Sequence, residues 1–301
     1  MHFIANLRRA GSGFWLVALA GTIWGTAGIT TQMIYNLAET NAISLSFFRL
    51  GIAAPILFLA CWRLLGRGMF HIARRDLLLM MFIGILTALD QLAYVVAISY
   101  IGVAVATLVA ICAAPVLVTV ISALLTRERL RRRGILALLC ALVGTALLTG
   151  FQASVESTHN LVLGVLVAFS VALGYAAIII CGRFLAGRCH PLQITSIGFG
   201  TGAALLLGMA LATGFVRVYP PQGWLLLLYL GAVPTALGYG LFLAGVRFTP
   251  APIASILVLM EPLTATILAA LLFHEQLGPF GIFGALLLGS AIYLLASGKA
   301  A

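Results

Sequence analysis

Three ionisable side chains stand inside long apolar runs: Arg49 in SFFRLG, Asp90 in ALDQLAY and Glu261 in LMEPLT. A charge at mid-bilayer costs ~2.5–3.5 kcal/mol on insertion scales, so each should face protein or water rather than lipid. Glu261 sits mid-run beside Pro262. It could bind a substrate amine or a coupling proton, or it could be a protonated or paired acid that locks two helices. Asp90 adjoins Gln91, and Thr87, Asp90 or Gln91, and Tyr94 recur at helical spacing, a polar stripe of the kind that looks into a cavity. Arg49 has two readings, snorkelling to the outer interface or contact with an anion or carboxylate.

A second stripe runs Trp24, Gly28, Thr31, Gln32, Tyr35, and Tyr175 and Tyr239 are further mid-run aromatics. Residues so far from the headgroups are not interfacial anchors. They either pack a core or, with the amide and acids, hold an amphipathic organic solute. The expected substrate-binding set is therefore Trp24, Gln91, Tyr94, Tyr175, Tyr239 and Glu261. Asp90 and Glu261 are the candidates for proton or charge coupling. Pro115 and Pro262 each remove a helix hydrogen bond mid-run and are the expected kinks or hinges.

Other chemistries find no support. The chain has no HExxH, GxSxG or P-loop pattern. Its five cysteines show no CxxC or Cys/His spacing, so no metal, disulfide or cofactor is expected. An intramembrane enzyme using Glu261 or Asp90 as general base would lack a nucleophile. The net charge of +10 lies in short loops between apolar runs and does not make a nucleic-acid-binding face.

The elements that must position these residues are membrane helices. The 301 residues are 63% hydrophobic and 8% charged, with mean hydropathy +1.17. A span needs about 20 apolar residues. Ten fit: 14–35, 44–64, 77–99, 103–125, 134–151, 161–184, 191–214, 222–245, 250–273 and 279–297. The first run, Phe14 to Tyr35, is too long for a signal-peptide core and lacks a cleavage site, so it reads as a span. With the N-terminus inside, fifteen of the seventeen Lys and Arg fall on the cytoplasmic side, only Arg217 falls outside, and Arg49 lies within a span. Both termini are expected in the cytoplasm.

The chain also repeats itself. Residues 115–135 and 262–282 share nine identities at an offset of 147, among them Pro115 with Pro262, Thr119 with Thr266, Glu128 with Glu275, and Gly134 with Gly281. Gly84 pairs with Gly231 and Ala97 with Ala244 at the same offset, and Glu261 corresponds to Ala114. Five spans per half is an odd number, so the halves 14–151 and 161–297 should lie in opposite orientations, an inverted repeat. The turn at 126–133 carries five arginines and its counterpart at 273–280 carries none, as opposite orientation demands. Residues 152–160 are the polar linker. An all-α membrane protein of ten helices in a single 1–301 domain, built as a 5+5 inverted repeat with polar stripes, reads as a secondary transporter working by alternating access.

These features resemble the EamA-type drug/metabolite transporters. The resemblance rests on the P-x(12)-E-x-L turn in each half (Pro115…Glu128-Arg129-Leu130 and Pro262…Glu275-Gln276-Leu277), on Trp24-Gly25 and on Phe48-Arg49. It implies a multi-pass exporter of amino acids, other metabolites or drugs in the cytoplasmic (inner) membrane. Within the family the chain looks most similar to exporters of neutral or aromatic amino acids. The resemblance also implies a cavity lined by the first, third, fourth, sixth, eighth and ninth spans. Drugs, purines and other metabolites are the alternative cargo. Sugar nucleotides fit poorly, since Arg49 is the only cation within a span. The expected partners are a small-molecule substrate and the lipid bilayer, with the chain acting as a monomer.

Overall fold

The computed structural model describes residues 2–125, 130–150, 161–273 and 278–297. Among these residues, ten helices are long and apolar enough to cross a bilayer. They are α1 (Ser12–Leu37), α2 (Ala42–Phe70), α3 (Arg74–Gly102), α4 (Val105–Leu125), α5 (Arg132–Thr149), α6 (Leu161–Ala186), α7 (Pro191–Thr213), α8 (Pro221–Val246), α9 (Ala251–Leu272) and α10 (Pro279–Ser297). They match the ten expected spans. The largest difference is at the end of α2, where a 3-10 turn over Gly66–Phe70 prolongs the helix. The paired turns bearing Glu128 and Glu275, and the linker 152–160, lie outside the described residues.

Helix ends inside such a bundle leave backbone groups that need partners, and this sequence supplies them. Asn41 caps α2 by accepting from Ser44 N–H (2.8 Å), and its amide donates to the Gly214 carbonyl at the end of α7 (2.8 Å). His190 and Gln193 form a reciprocal capping box at the start of α7, and the Gln193 amide reaches the Met69 carbonyl (3.1 Å). Arg183 donates to the carbonyls of Val246 and Arg247 at the end of α8 (2.7 Å each). Between α3 and α4 the chain turns on Gly102 (φ 74°, ψ 163°), a conformation open to glycine alone without strain.

Packing relies on close backbone approach, because lipid supplies no hydrophobic force between helices. A Cβ at Gly84 of α3 would lie 2.1 Å from the Gly198 carbonyl oxygen of α7. At the matching position on α8, a Cβ at Gly231 would lie 2.6 Å from the Ile52 Cβ of α2. Helices α5 and α10 meet through Gly144 and Gly284, each lying against the other's carbonyl. The buried residues Ala137, Ala141, Gly144 and Leu148 of α5 stand 147 positions before the buried Gly284, Leu288, Ala291 and Leu295 of α10.

Two spans are irregular where they pass mid-bundle. α8 is α-helical over Pro221–Leu230 and Gly238–Val246, with a π-helical stretch Gly231–Leu237 around Pro234 between them. A proline has no N–H to donate, and a wider turn absorbs the mismatch. α9 breaks into Ala251–Leu257 and Met260–Phe273 with a turn at Val258–Leu259. Pro262 cannot donate to the Val258 carbonyl, which instead accepts from Glu261 N–H (2.9 Å). The expected kinks are thus unequal, since α4 runs through Pro115 without interruption in its helix.

Candidate functional site

The helices enclose a cavity of about 300 Å³. Trp24, Gln91, Tyr94, Tyr175, Tyr239 and Glu261 all line it, and so do Asp90, Pro115 and Pro262. The sequence-derived set therefore converges on one place, although its members come from six different helices. The local reason is periodicity. On α3, Thr87, Asp90, Gln91 and Tyr94 share one face, while Ile85 and Leu89 stand exposed on another.

Hydrogen bonds fix several walls. Tyr94 of α3 bonds through its hydroxyl to Thr107 of α4. Ser46 of α2 donates to the Gln91 side-chain oxygen (3.3 Å). Trp24 packs against Tyr239 (ring centroids 4.6 Å) and Phe242 (5.3 Å), and Tyr239 meets Phe199 edge-on (4.9 Å). The Trp24 indole N–H lies over Gly238 and has no hydrogen-bond partner among the described residues. A small void of about 20 Å³ borders this aromatic layer. Residues 251–259 are buried without exception, whereas residues 263–272 are half-buried or exposed. The bundle is packed more tightly at the end carrying the α8–α9 connection.

The cavity's charged groups are Arg49, Asp90 and Glu261. Among the described residues, neither carboxylate takes part in a hydrogen bond, and Arg49 pairs with neither of them within 4.0 Å. Arg49 does not snorkel outward. It turns inward and donates from Nε to Thr235 Oγ1 of α8 (2.9 Å). This adds α2 to the walls implied by the resemblance. The α1 stripe fares differently. Trp24 reaches the cavity, but Gln32 is exposed and Tyr35 is 42% exposed, because at this end of α1 the buried face is the one carrying Ala27, Thr30 and Ile34.

Four pairs of wall residues are matched across the halves: Trp24 with Val171, Ile111 with Val258, Ala114 with Glu261, and Pro115 with Pro262. The frame is shared while the chemistry is not, since an indole faces a valine and a carboxyl faces a methyl. Sequence reasoning missed Thr107, Thr235 and Gly174 of α6, which lies against the Asp90 carboxylate. Each acts on a residue from another helix, and no spacing within one helix records that pairing.

What this arrangement can do is surround an amphipathic solute with aromatic faces and present charges of both signs. The same family model, the EamA-like transporter family, matches residues 11–150 and again 162–297. The chain is 28% identical to the "Uncharacterized transporter YwfM" of Bacillus subtilis, over 89% of this chain and 88% of that one. It is 30% identical to an "Uncharacterized transporter" of Archaeoglobus fulgidus, over 87% of each. It is 28% identical to the "Uncharacterized inner membrane transporter YicL" of Salmonella typhimurium, over 93% of each. A crystal structure at 20% identity shares the fold, with a TM-score of 0.81 over 94% of this chain and 96% of that one. With both halves matched and full-length relatives of the same kind, this multi-pass membrane protein belongs to the EamA-like transporter family.

Proposed function

We propose that this transporter exports small amphipathic metabolites, with neutral and aromatic amino acids as its leading cargo, across the cytoplasmic membrane by alternating access. The observation that carries the reading is the central cavity, where aromatic rings and the charges of Asp90, Glu261 and Arg49 meet at mid-bundle. Trp24, Tyr94, Tyr175 and Tyr239 hold the apolar body of the solute, and Gln91, Asp90 and Glu261 take its polar end. Asp90 and Glu261 are the acids through which a coupling proton would act.

The halves 14–151 and 161–297 move as inverted repeats about the Pro115 and Pro262 region. The matched burial of α5 and α10 supports this. The Lys and Arg distribution supports an orientation with both termini in the cytoplasm. In that orientation the tightly packed end is cytoplasmic, and the conformation described is outward-facing. One chain encloses the whole cavity, which supports a monomer as the working unit.

The test is transport by the purified chain in proteoliposomes loaded with labelled neutral and aromatic amino acids. Movement of at least one of them above empty vesicles is expected. Folded protein that moves none of them would refute the cargo assignment.

A further inference from the structure

Arg49 is the only basic residue lining the cavity among the described residues. Its side chain is held in a specific way. Thr235 lies in the π-helical stretch of α8, and its hydroxyl donates to the Leu230 carbonyl five residues back (2.7 Å). With its proton committed there, the same oxygen accepts from the Arg49 Nε–H (2.9 Å). Thr235 is fully buried, so water does not compete for that bond. The acceptor for Arg49 thus sits on the wide turn at Gly231–Leu237.

Anchoring through Nε leaves the two terminal amino groups of the guanidinium. Among the described residues they have no partner, and Asp90 and Glu261 lie beyond ion-pair range on the same cavity. A planar guanidinium fork matches the two oxygens of a carboxylate. Charge balance narrows the ligand further. One guanidinium facing two carboxyl groups disfavours a dianion such as a phosphate monoester. A monocarboxylate that also carries an ammonium group meets both signs.

We infer that Arg49, held by Thr235, binds the carboxylate of the transported solute, and that the cargo is zwitterionic, with its ammonium turned toward Asp90 and Glu261. This deepens the export reading above and rests on it.

The experiment compares labelled phenylalanine and leucine with their decarboxylated amines, phenethylamine and isoamylamine, in proteoliposomes containing wild type, R49Q, R49K or T235V. Thermal melting with each probe is measured in parallel. The expected readout is the ratio of amino-acid to amine flux. It should fall by about tenfold or more in R49Q, with R49K intermediate because it keeps the charge without the fork. T235V keeps the charge but frees the fork, and its ratio should fall several-fold. If R49Q does not fold, T235V decides.

An unchanged ratio in the variants overturns the inference. Transport of the amines with no amino acid moved or bound also overturns it and leaves export standing. If nothing is moved, yet an amino acid raises the melting temperature of wild type and not of R49Q, the carboxylate site stands and the export reading falls. Amino acids neither moved nor bound overturn the inference.

Discussion

Gly174 of α6 lies directly against the Asp90 carboxylate of α3: a Cβ at position 174 would sit 2.1 Å from Asp90 Oδ1. Nothing larger than hydrogen lets the acid hold its present place on the cavity wall. The obstructing atoms are the far end of a side chain, so Asp90 can swing away and the helices need not separate. Gly174→Ala should therefore leave the melting temperature nearly unchanged while lowering transport about tenfold or more, the worth of one hydrogen bond to a charged group, about 1.5–3 kcal/mol. Wild-type transport by a folded Gly174→Ala protein would show that the position of Asp90 is unimportant.

Gly84 poses the opposite case. A methyl there meets the Gly198 carbonyl oxygen at 2.1 Å and the Thr201 Cβ at 2.9 Å, and backbone cannot rotate out of the way. Gly84→Ala should destabilise the α3–α7 contact by about 1–3 kcal/mol, read as a lower melting temperature in detergent. Gly28 of α1 has nothing within 4 Å of the added carbon. Gly28→Ala should be neutral or stabilising by up to about 1 kcal/mol, through helix propensity. Equal effects at the two sites would contradict the helix packing described.

Glu261 borders the cavity where its counterpart, Ala114, presents only a methyl. The shared frame therefore tolerates a small apolar residue at this position. Glu261→Gln keeps the volume and removes the charge. It should fold as wild type and lose roughly tenfold or more in transport of amine-bearing solutes. A Gln variant that transports normally, beside an Ala variant that fails to fold, would instead mark Glu261 as a helix-locking residue.

His190 links stability to pH outside the membrane. It caps α7 by accepting from Leu192 N–H at Nδ1 (3.3 Å), which requires an unprotonated nitrogen. Burial, and then the nearby Arg247, hold its pKa below the ordinary 6.5. On acidification the unfolded chain takes up this proton first, so stability rises with pH across this window. The contribution is complete above the unfolded value and is lost as pH falls through the lower folded value. Thermal melting at about pH 8 and about pH 5 should show a drop in wild type. His190→Asn, which retains a capping oxygen, should flatten that drop. Parallel pH profiles for the two proteins would remove His190 from the account.

Much of this was already written in the chain. Apolar runs of membrane-crossing length dictated the ten helices, because a bilayer admits no other way of satisfying this backbone. The 147-residue offset alone makes Pro115 and Pro262, or Gly84 and Gly231, recognisable as matched positions. Asp90, Gln91 and Tyr94 could be assigned to one face by the helical period alone, and the expense of burying charge singled out Glu261. Tertiary structure decided what crosses between helices. Whether Arg49 reached headgroups or cavity depended on Thr235, which lies 186 residues away. That hydroxyl lies in the π-helical stretch around Pro234 and donates to the Leu230 carbonyl. The same holds for Gly174, whose missing side chain makes room for an acid of another helix. It holds as well for Gln32 and Tyr35, which share a helical face with Trp24 yet miss the cavity. Periodicity tells which residues of one helix point the same way; only packing tells what stands opposite them.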